Sequence, residues 1–291
     1  MRKTLQVVSQ RERLALMADV VYSQVCPYPN RPINMPLTLY LLRPFSVAAP
    51  PRPALVWLEG GGWMSVGHAV SIPWLVGFAE AGYVVASVRY RTSGESKFPA
   101  QIEDVKTAIR FLRAHATALG VDGERIAVMG QSAGGHLAAL AGTTSGSGLF
   151  EGGEWEGQSS AVSAVVAIAA PNDFFAQLPY PSAVDHGAPQ SAEALLLGGP
   201  LAERKPQAEA ANPLRYIQPG RTPPFLIIHG DADEIVAYNQ AELLYQALRE
   251  SGGDATLVTV PGGRHTTSPE LWQPEVKEEI LAFLGRYLSP A

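Results

Sequence analysis

The sequence predicts an α/β fold, built on a mostly parallel central sheet of about eight strands with helices on both faces. Short apolar runs alternate along the chain with longer segments in which apolar residues recur every three or four positions. Several short runs are apolar at every position, as expected for strands buried on both sides. Hydrophobic residues make up 46% of the 291 residues and charged residues only 17%, which excludes a disordered chain.

The short apolar runs are the predicted strands. The clearest cover residues 37–42, 54–58, 83–88, 125–129, 162–168, 225–228 and 256–260. Residues 19–25 are a candidate edge strand. Together these segments account for the sheet.

Helices are predicted between the strands. The clearest covers residues 99–119, where apolar side chains recur at helical spacing, at Ile102, Val105, Ile109 and Leu112. Pro99 suits its first turn, because the missing N–H has no partner at that position in any helix. Further helices are predicted over residues 132–143, 238–251 and 274–288.

Two stretches interrupt this alternation. Residues 142–160 are rich in glycine and serine and predict a surface loop, and residues 172–218 are rich in proline with one short helical pattern at 192–197. An insertion of the second kind is usually functional or mobile. We therefore expect a single domain over residues 1–291, with a small lid formed by residues 172–218.

Charge and composition limit the partners. The chain has 22 basic and 27 acidic residues, a net charge of −5, so it lacks the basic face that a nucleic acid requires. No apolar run approaches the roughly 18 residues of a membrane span, and polar residues interrupt the N-terminal apolar ones. We expect a cytoplasmic protein without a membrane partner. The single cysteine, Cys26, excludes a disulfide within the chain.

The most informative motif is GQSAGG at residues 130–135, which fits the pattern G-x-S-x-G. It follows a predicted strand and opens a predicted helix, the context in which this pattern presents a nucleophilic serine at the carboxyl edge of a sheet. The flanking glycines let neighbouring backbone pack against the sharp turn, and the helix N-terminus adds N–H groups. Ser132 is therefore the candidate nucleophile.

A serine hydroxyl needs a base at neutral pH, and the chain has six histidines. His265 lies in a loop after the last predicted strand, in the order nucleophile, acid, histidine that this kind of site uses. His229 ends a predicted strand, and we expect a structural role for it. Candidate acids lie directly after that strand, at Asp231, Asp233 and Glu234.

A glycine loop, EGGGW at residues 59–63, follows the strand predicted at 54–58. Its backbone N–H groups can converge on a negatively charged oxygen. Gly61 and Gly62, together with the N–H of Ala133, are candidate donors of an oxyanion hole.

With these motifs the chain resembles α/β-hydrolases of the serine esterase branch that carry an HGGGW-type oxyanion loop. It is similar to the group named for a bifunctional feruloyl and acetylxylan esterase, within the branch related to hormone-sensitive lipase. The resemblance runs from about residue 22 to the C-terminus and includes residues 98–105, 130–136, 212–214 and 229–236. It implies an α/β-hydrolase fold and a serine mechanism that requires no metal or cofactor.

The resemblance also selects the acid. In the family it is the aspartate of an HGxxDxxV segment, a place that Asp233 occupies here. The implied triad is Ser132, Asp233 and His265. Asp231 is then a turn residue, and Glu234 is expected to face solvent.

Two positions depart from the family pattern. Glu59 stands where the family has a histidine that holds the glycine loop by hydrogen bonds. A buried carboxylate could hold the loop by accepting backbone N–H bonds, or it could face the pocket and repel anionic substrates. Ala237 replaces a proline, which only loosens a turn.

The resemblance implies that the chain hydrolyses carboxylic esters, with short acyl or acetyl and aryl esters as the expected substrates, through an acyl-serine intermediate. An amidase or formamidase acting on N-acyl or N-formyl aromatic amines would use the same triad and stays an alternative. A non-catalytic ligand-binding homologue is a lesser one, since such proteins usually lose a triad member.

Several aromatic residues are candidates for binding the substrate: Trp63 on the acyl side, and Phe98, Phe174, Phe175 and Tyr180 on the alcohol side. The partly amphipathic segment 5–17 could cover the body of the protein or a second subunit. A homodimer is therefore one expectation.

Overall fold

The computed structural model describes residues 3–4, 6, 12–27, 33–45, 50–266 and 269–289. Its centre is an eight-stranded sheet in the order β1-β2-β4-β3-β5-β6-β7-β8. The strands are β1 (Leu14–Val25), β2 (Met35–Pro44), β3 (Arg52–Leu58), β4 (Val84–Val88), β5 (Val121–Gln131), β6 (Ala164–Ile168), β7 (Phe225–Gly230) and β8 (Ala255–Val260). β2 runs antiparallel to both β1 and β4, and the other neighbours are parallel. The mostly parallel sheet is confirmed.

Helices follow most of the parallel strands. They are α1 (Ile72–Glu80), α2 (Ala100–Ala114), α3 (Ala116–Leu119), α4 (Ala133–Thr143), α5 (Ala192–Leu197), α6 (Lys205–Ala210), α7 (Asn239–Glu250) and α8 (Pro274–Leu288). Short 3-10 turns occupy Leu201–Glu203, Pro213–Tyr216 and Pro269–Trp272. None of the helices in the described ranges is long and apolar enough to cross a bilayer.

The sheet is covered on both faces, and this explains why its strands are apolar throughout. Val56 of β3 packs in one hydrophobic cluster with residues of α2, α4 and α7. Its neighbours Leu55 and Trp57 pack in a second cluster with residues of α1 and α8. Because successive side chains of a strand point to opposite faces, a strand between two helical layers needs an apolar residue at each position.

The helices differ from the prediction at two places. α1 was not predicted; it has the sequence IPWLVGFAE and buries Leu75, Phe78 and Ala79. Nearly every residue of α1 is apolar, so it lacks the alternation of apolar and polar faces that identifies a helix. The helix predicted over residues 99–119 is divided into α2 and α3, because the backbone at His115 leaves helical geometry with φ −106° and ψ 16°.

Residues 172–218 lie between β6 and β7, and α5 forms where the helical pattern predicted it. The segment also contains α6 and two 3-10 turns, so it holds more regular structure than expected. Of the N-terminal segment 5–17, residues 5 and 7–11 lie outside the described part of the chain, and residues 14–17 begin β1.

The parallel strands bring the candidate residues to one edge. The glycine loop (residues 59–63) follows β3, Ser132 follows β5, Asp233 follows β7 and His265 follows β8. The carboxyl ends of parallel strands lie at the same edge, where open α/β sheets bind their ligands.

Candidate active site

Ser132 lies at a strained turn between β5 and α4, with φ 51° and ψ −122°. Positive φ is unfavourable for a residue with a side chain and is typical of functional sites. Tight packing holds the turn: a Cβ at Gly134 would overlap the Leu58 carbonyl oxygen, and a Cβ at Gly130 would overlap the carbonyl of Gly134. Glycine is therefore required at both positions.

The structure brings Ser132, His265 and Asp233 together in one chain of hydrogen bonds. Nε2 of His265 lies 3.0 Å from Oγ of Ser132, and Nδ1 lies 2.8 Å from Oδ2 of Asp233. Oδ1 of Asp233 accepts the backbone N–H groups of Ile235 and Val236, both at 2.9 Å. His265 is largely buried and Ser132 is partly exposed. This geometry allows a proton to pass from the serine hydroxyl to an imidazole that a carboxylate orients.

His229 also contacts the candidate acid. Its Nε2 lies 3.2 Å from Oδ2 of Asp233 and 3.0 Å from the Val236 carbonyl oxygen. Burial alone would raise the pKa of Asp233, but hydrogen bonds from His229 and His265 outweigh burial and hold that pKa well below its usual range. The acid is therefore ionised wherever the protein is folded near neutral pH. His229 does more than complete a strand end, because it supports the carboxylate.

The other two candidate acids have separate contacts. Asp231 is exposed and its Oδ1 accepts the backbone N–H of Gly262 at 2.7 Å, the turn contact expected of it. Glu234 is exposed as predicted, but its Oε2 also accepts the backbone N–H of His265 at 3.2 Å. Both therefore help to position the loop that carries His265.

The glycine loop passes directly over the serine. A Cβ at Gly60 would lie 3.1 Å from Cβ of Ser132, and Gly61 and Gly62 adopt φ angles of 119° and 58°. Both glycines line the same cavity as Ser132 and Ala133. The backbone of two chain segments therefore lies beside the serine, and its N–H groups stay the predicted donors of an oxyanion hole.

Glu59 is buried and behaves in neither of the two ways expected from the sequence. Its Oε2 accepts Nε1 of Trp57 at 3.0 Å and Oγ of Ser71 at 2.7 Å, and its Oε1 accepts Nε2 of Gln131. The donors are side chains rather than backbone N–H groups, and Glu59 is absent from the cavity lining. The carboxylate therefore joins the glycine loop to the residue that precedes Ser132.

A cavity of about 530 Å³ opens onto the serine. Ser132, His265 and the glycine loop line one side of it. Residues 184–193, here called the insertion wall, line the other. Most of the lining is apolar, its acidic members are Asp185 and Glu193, and the described lining residues include neither lysine nor arginine. The cavity suits an uncharged, largely apolar group.

The predicted aromatic residues divide into one that lines the cavity and four that do not. Trp63 lines it and packs edge-on against His136 and Phe174, with ring centroids 5.2 and 5.4 Å away. Phe174 lies behind Trp63, Phe98 packs on Phe150, Phe175 packs against the core, and Tyr180 is half exposed. None of these four is among the residues that line the cavity, and their part in substrate binding stays a prediction from the sequence.

The sequence predicted a lid over residues 172–218 but not which of its residues line the cavity. Ala188, Gln190 and Ala192 carry no motif, and the segment lacks the periodicity that would show which side chains face inward. Only the proline-rich composition indicated that this region has a function.

Comparison with known proteins places the chain in a family. The family model described as BD-FAE matches residues 39–248. The chain belongs to the BD-FAE family. It is 33% identical to Esterase LipC of Mycobacterium tuberculosis over 224 residues, which cover 74% of this chain and 53% of that protein.

Two solved structures extend the comparison of this BD-FAE protein. A truncated carbohydrate esterase from gut microbiota is 28% identical with a TM-score of 0.78, over 96% of this chain and 98% of that one. Thermogutta terrifontis esterase 2 phosphorylated by paraoxon is 27% identical with a TM-score of 0.71, over 95% and 96%. The α/β-hydrolase fold is thereby confirmed. The chain spans about half the length of the curated relatives it matches.

Proposed function

We propose that this BD-FAE protein hydrolyses carboxylic esters with short acyl or acetyl and aryl groups through an acyl-serine intermediate. The observation that carries the proposal is the hydrogen-bonded series from Ser132 through His265 to Asp233 at the wall of a cavity. The names of the relatives, which include esterases and a probable carboxylic ester hydrolase, support it.

Acylation begins when Oγ of Ser132 attacks the ester carbonyl carbon and Nε2 of His265 takes the hydroxyl proton. Asp233 accepts the other ring N–H and stabilises the imidazolium. The bond to the alcohol then breaks, and His265 returns the proton to the leaving oxygen. Water repeats these steps on the acyl-serine and releases the carboxylic acid.

The negative charge of each tetrahedral intermediate develops beside the glycine loop. We assign its stabilisation to the N–H groups of Gly61, Gly62 and Ala133. A donor of this kind typically lowers the barrier by about 3–4 kcal/mol. The groups are fixed by the backbone, so little reorganisation is needed during the reaction.

The cavity favours small, uncharged substrates. Its volume of about 530 Å³ accommodates a short acyl or aryl ester, and its mainly apolar lining gives few partners to a polar chain. Asp185 adds negative charge, Glu193 is paired with His186, and the described lining residues include neither lysine nor arginine. Carboxylate-bearing esters are therefore expected to be poorer substrates than neutral esters of the same size.

The test is an activity screen of p-nitrophenyl esters from acetate to octanoate, with an N-formyl arylamine measured in parallel. We expect the acetate and butyrate esters to be cleaved, and Ser132→Ala to reduce kcat/KM by at least about 10⁴-fold. Paraoxon should label the wild-type protein once and leave Ser132→Ala unlabelled. Faster turnover of the formamide than of any ester would favour the amidase alternative, and absence of labelling would contradict the serine mechanism.

A homodimer and a cytoplasmic location stay predictions from the sequence. Sedimentation of the purified chain at micromolar concentration tests the first, and fractionation of the producing cells tests the second.

A further inference from the structure

The insertion wall is attached to the loop that carries the candidate acid, and His186 makes the central contact. His186 is buried, lines the cavity and lies between two acceptors. Its Nδ1 is 2.7 Å from Oε1 of Glu193, and its Nε2 is 2.7 Å from the carbonyl oxygen of Ile235. An imidazole that faces an acceptor on each side satisfies both only when it carries both protons.

The charged form of His186 is therefore the one that fits this environment. Burial alone would lower the pKa of His186, but the hydrogen bond and charge of Glu193 outweigh burial and raise that pKa. Glu193 is itself buried, and Gln177 donates to the same oxygen at 3.0 Å. The pair is a buried, hydrogen-bonded ion pair, the kind that costs most when one partner is removed.

Ser182, His186 and Glu193 together resemble a second arrangement of serine, histidine and acid. Oγ of Ser182 lies 3.3 Å from Nε2 of His186. However, that hydroxyl donates to the carbonyl oxygen of Ile235 at 2.9 Å, and the same carbonyl takes the His186 N–H. Nε2 consequently has no lone pair available to activate Ser182, so the cluster is not a second nucleophilic site.

The contacts of His186 lead to Asp233. Ile235 donates its N–H to Asp233 and accepts from His186 through its carbonyl. A second attachment lies directly before the insertion wall, where the backbone N–H of Ala183 donates to the carbonyl of Glu234 at 2.7 Å. The insertion wall and the loop 233–236 therefore hold each other in place, and both line the cavity.

We propose that His186 is a positioning residue whose ion pair with Glu193 fixes the insertion wall against the loop 233–236 and so sets which ester groups the cavity accepts. The inference rests on the proposed esterase function. It assigns to His186 and Glu193 control over substrate size, and no part in proton transfer to or from the ester.

The test compares His186→Gln and Glu193→Gln with His115→Gln, a matched change of a half-buried histidine at the C-terminal end of α2 that does not line the cavity. Kinetics are measured on p-nitrophenyl acetate and octanoate. Both test variants should raise KM for the acetate about fivefold while kcat changes less than about twofold. The preference for acetate over octanoate should fall by about tenfold, because a released wall admits longer groups. Paraoxon labelling should persist in both variants.

Hydrogen exchange gives a readout that does not depend on the substrate. The amides of residues 183, 235 and 236 should exchange at least about tenfold faster in His186→Gln than in the wild-type protein, and at the wild-type rate in His115→Gln. Glu193→Gln covers the case in which His186→Gln does not fold. Unchanged exchange and unchanged acyl preference in a folded variant would overturn the proposal. A loss of kcat and labelling as large as in Ser132→Ala would also overturn it, in favour of a catalytic role.

Failure of the proposed function gives a different pattern. In that case the wild-type protein itself neither cleaves the esters nor reacts with paraoxon, and the exchange measurement alone decides the role of His186.

Discussion

At the scale of single residues, Glu59 is the clearest departure from the pattern of related esterases. Its carboxylate accepts hydrogen bonds from the side chains of Trp57, Ser71 and Gln131, which belong to three separate chain segments. The sequence showed the substitution but did not reveal Ser71 and Gln131 as partners, because they lie 12 and 72 residues away along the chain and leave no local spacing to detect. A negative charge that accepts three hydrogen bonds is well suited to hold the glycine loop.

Replacing Glu59 by Gln should disturb catalysis more than binding. The amide keeps one acceptor oxygen but turns its NH₂ group toward existing donors, so the glycine loop should shift relative to Ser132. We expect kcat to fall about 10- to 100-fold with KM nearly constant, since oxyanion donors act in the transition state. Glu250→Gln, at an exposed position of α7, is the control. A Glu59→Gln protein with normal kcat would show that the glycine loop does not depend on this carboxylate.

His136 leads to a prediction about acid stability. It is fully buried, its Nε2 lies 2.7 Å from the Ala211 carbonyl oxygen, and burial lowers its pKa to about 4. In the unfolded chain the pKa of histidine is about 6.5, so the unfolded state binds the extra proton first as the pH falls below that value. The contribution of neutral His136 to folding stability is therefore complete above about pH 6.5 and is lost as the pH falls toward 4.

The measurement is urea unfolding at pH 7 and pH 5. His136 should contribute about 2 kcal/mol to the decrease in unfolding free energy between these two values. In His136→Gln that part of the pH dependence should disappear, even if the variant is less stable at both. An equal decrease in the two proteins would mean that another group causes the acid sensitivity.

At the scale of elements, some helices could be predicted from the spacing of apolar residues and others could not. Residues 99–119 alternate apolar and polar faces, so a helix was evident. The apolar α1 could not be predicted in this way, although it is equally an α-helix. The predicted surface loop at residues 142–160 turned out to be anchored, because Lys106 and Arg110 of α2 are buried beneath it and both bind Glu151. Glycine and serine in the sequence indicate a loop but do not show what holds it.

Removing the charge of Glu151 should therefore destabilise the protein rather than only the loop. Lys106 and Arg110 would be left buried beside a neutral partner, which typically costs about 3 kcal/mol. We expect Glu151→Gln to lower the Tm by several degrees, with proteolysis beginning within residues 144–160. Glu156→Gln, in the same loop at an exposed position, should leave the Tm unchanged. Equal Tm values for the two variants would show that the buried ion pairs contribute little.

At the scale of the whole molecule, most of the fold was readable because it follows from strands that must be apolar on both faces. The site was readable for a related reason: residues at the carboxyl ends of β3, β5, β7 and β8 share one edge whatever the details of packing. The shape of the cavity could not be read from the sequence, because the insertion wall owes its position to contacts such as that between His186 and Ile235. Long-range hydrogen bonds of this kind have no counterpart in local sequence pattern.

α4 packs very closely against the end of β3, and this contact lies beside the candidate active site. Gly134 lies against the carbonyl oxygen of Leu58, and the same contact fixes the distance between the serine turn and the glycine loop. A methyl group there must push the two segments apart, because backbone on both sides cannot yield as a flexible side chain would. Folding stability and catalysis should therefore fail together at this position.

Gly134→Ala should lower the free energy of unfolding by about 3 kcal/mol and reduce kcat/KM by at least about 100-fold. Gly285→Ala in α8 is the matched control: apart from its chain neighbours and the nearby backbone of α8 itself, no described atom lies within 4 Å of the added Cβ. A helical alanine is favoured over glycine, so the control should be stabilised by about 0.5–1 kcal/mol with full activity. Urea unfolding and p-nitrophenyl acetate hydrolysis measure both effects. If Gly134→Ala were as stable and as active as Gly285→Ala, the serine turn and the glycine loop would not be held at a fixed separation by this contact.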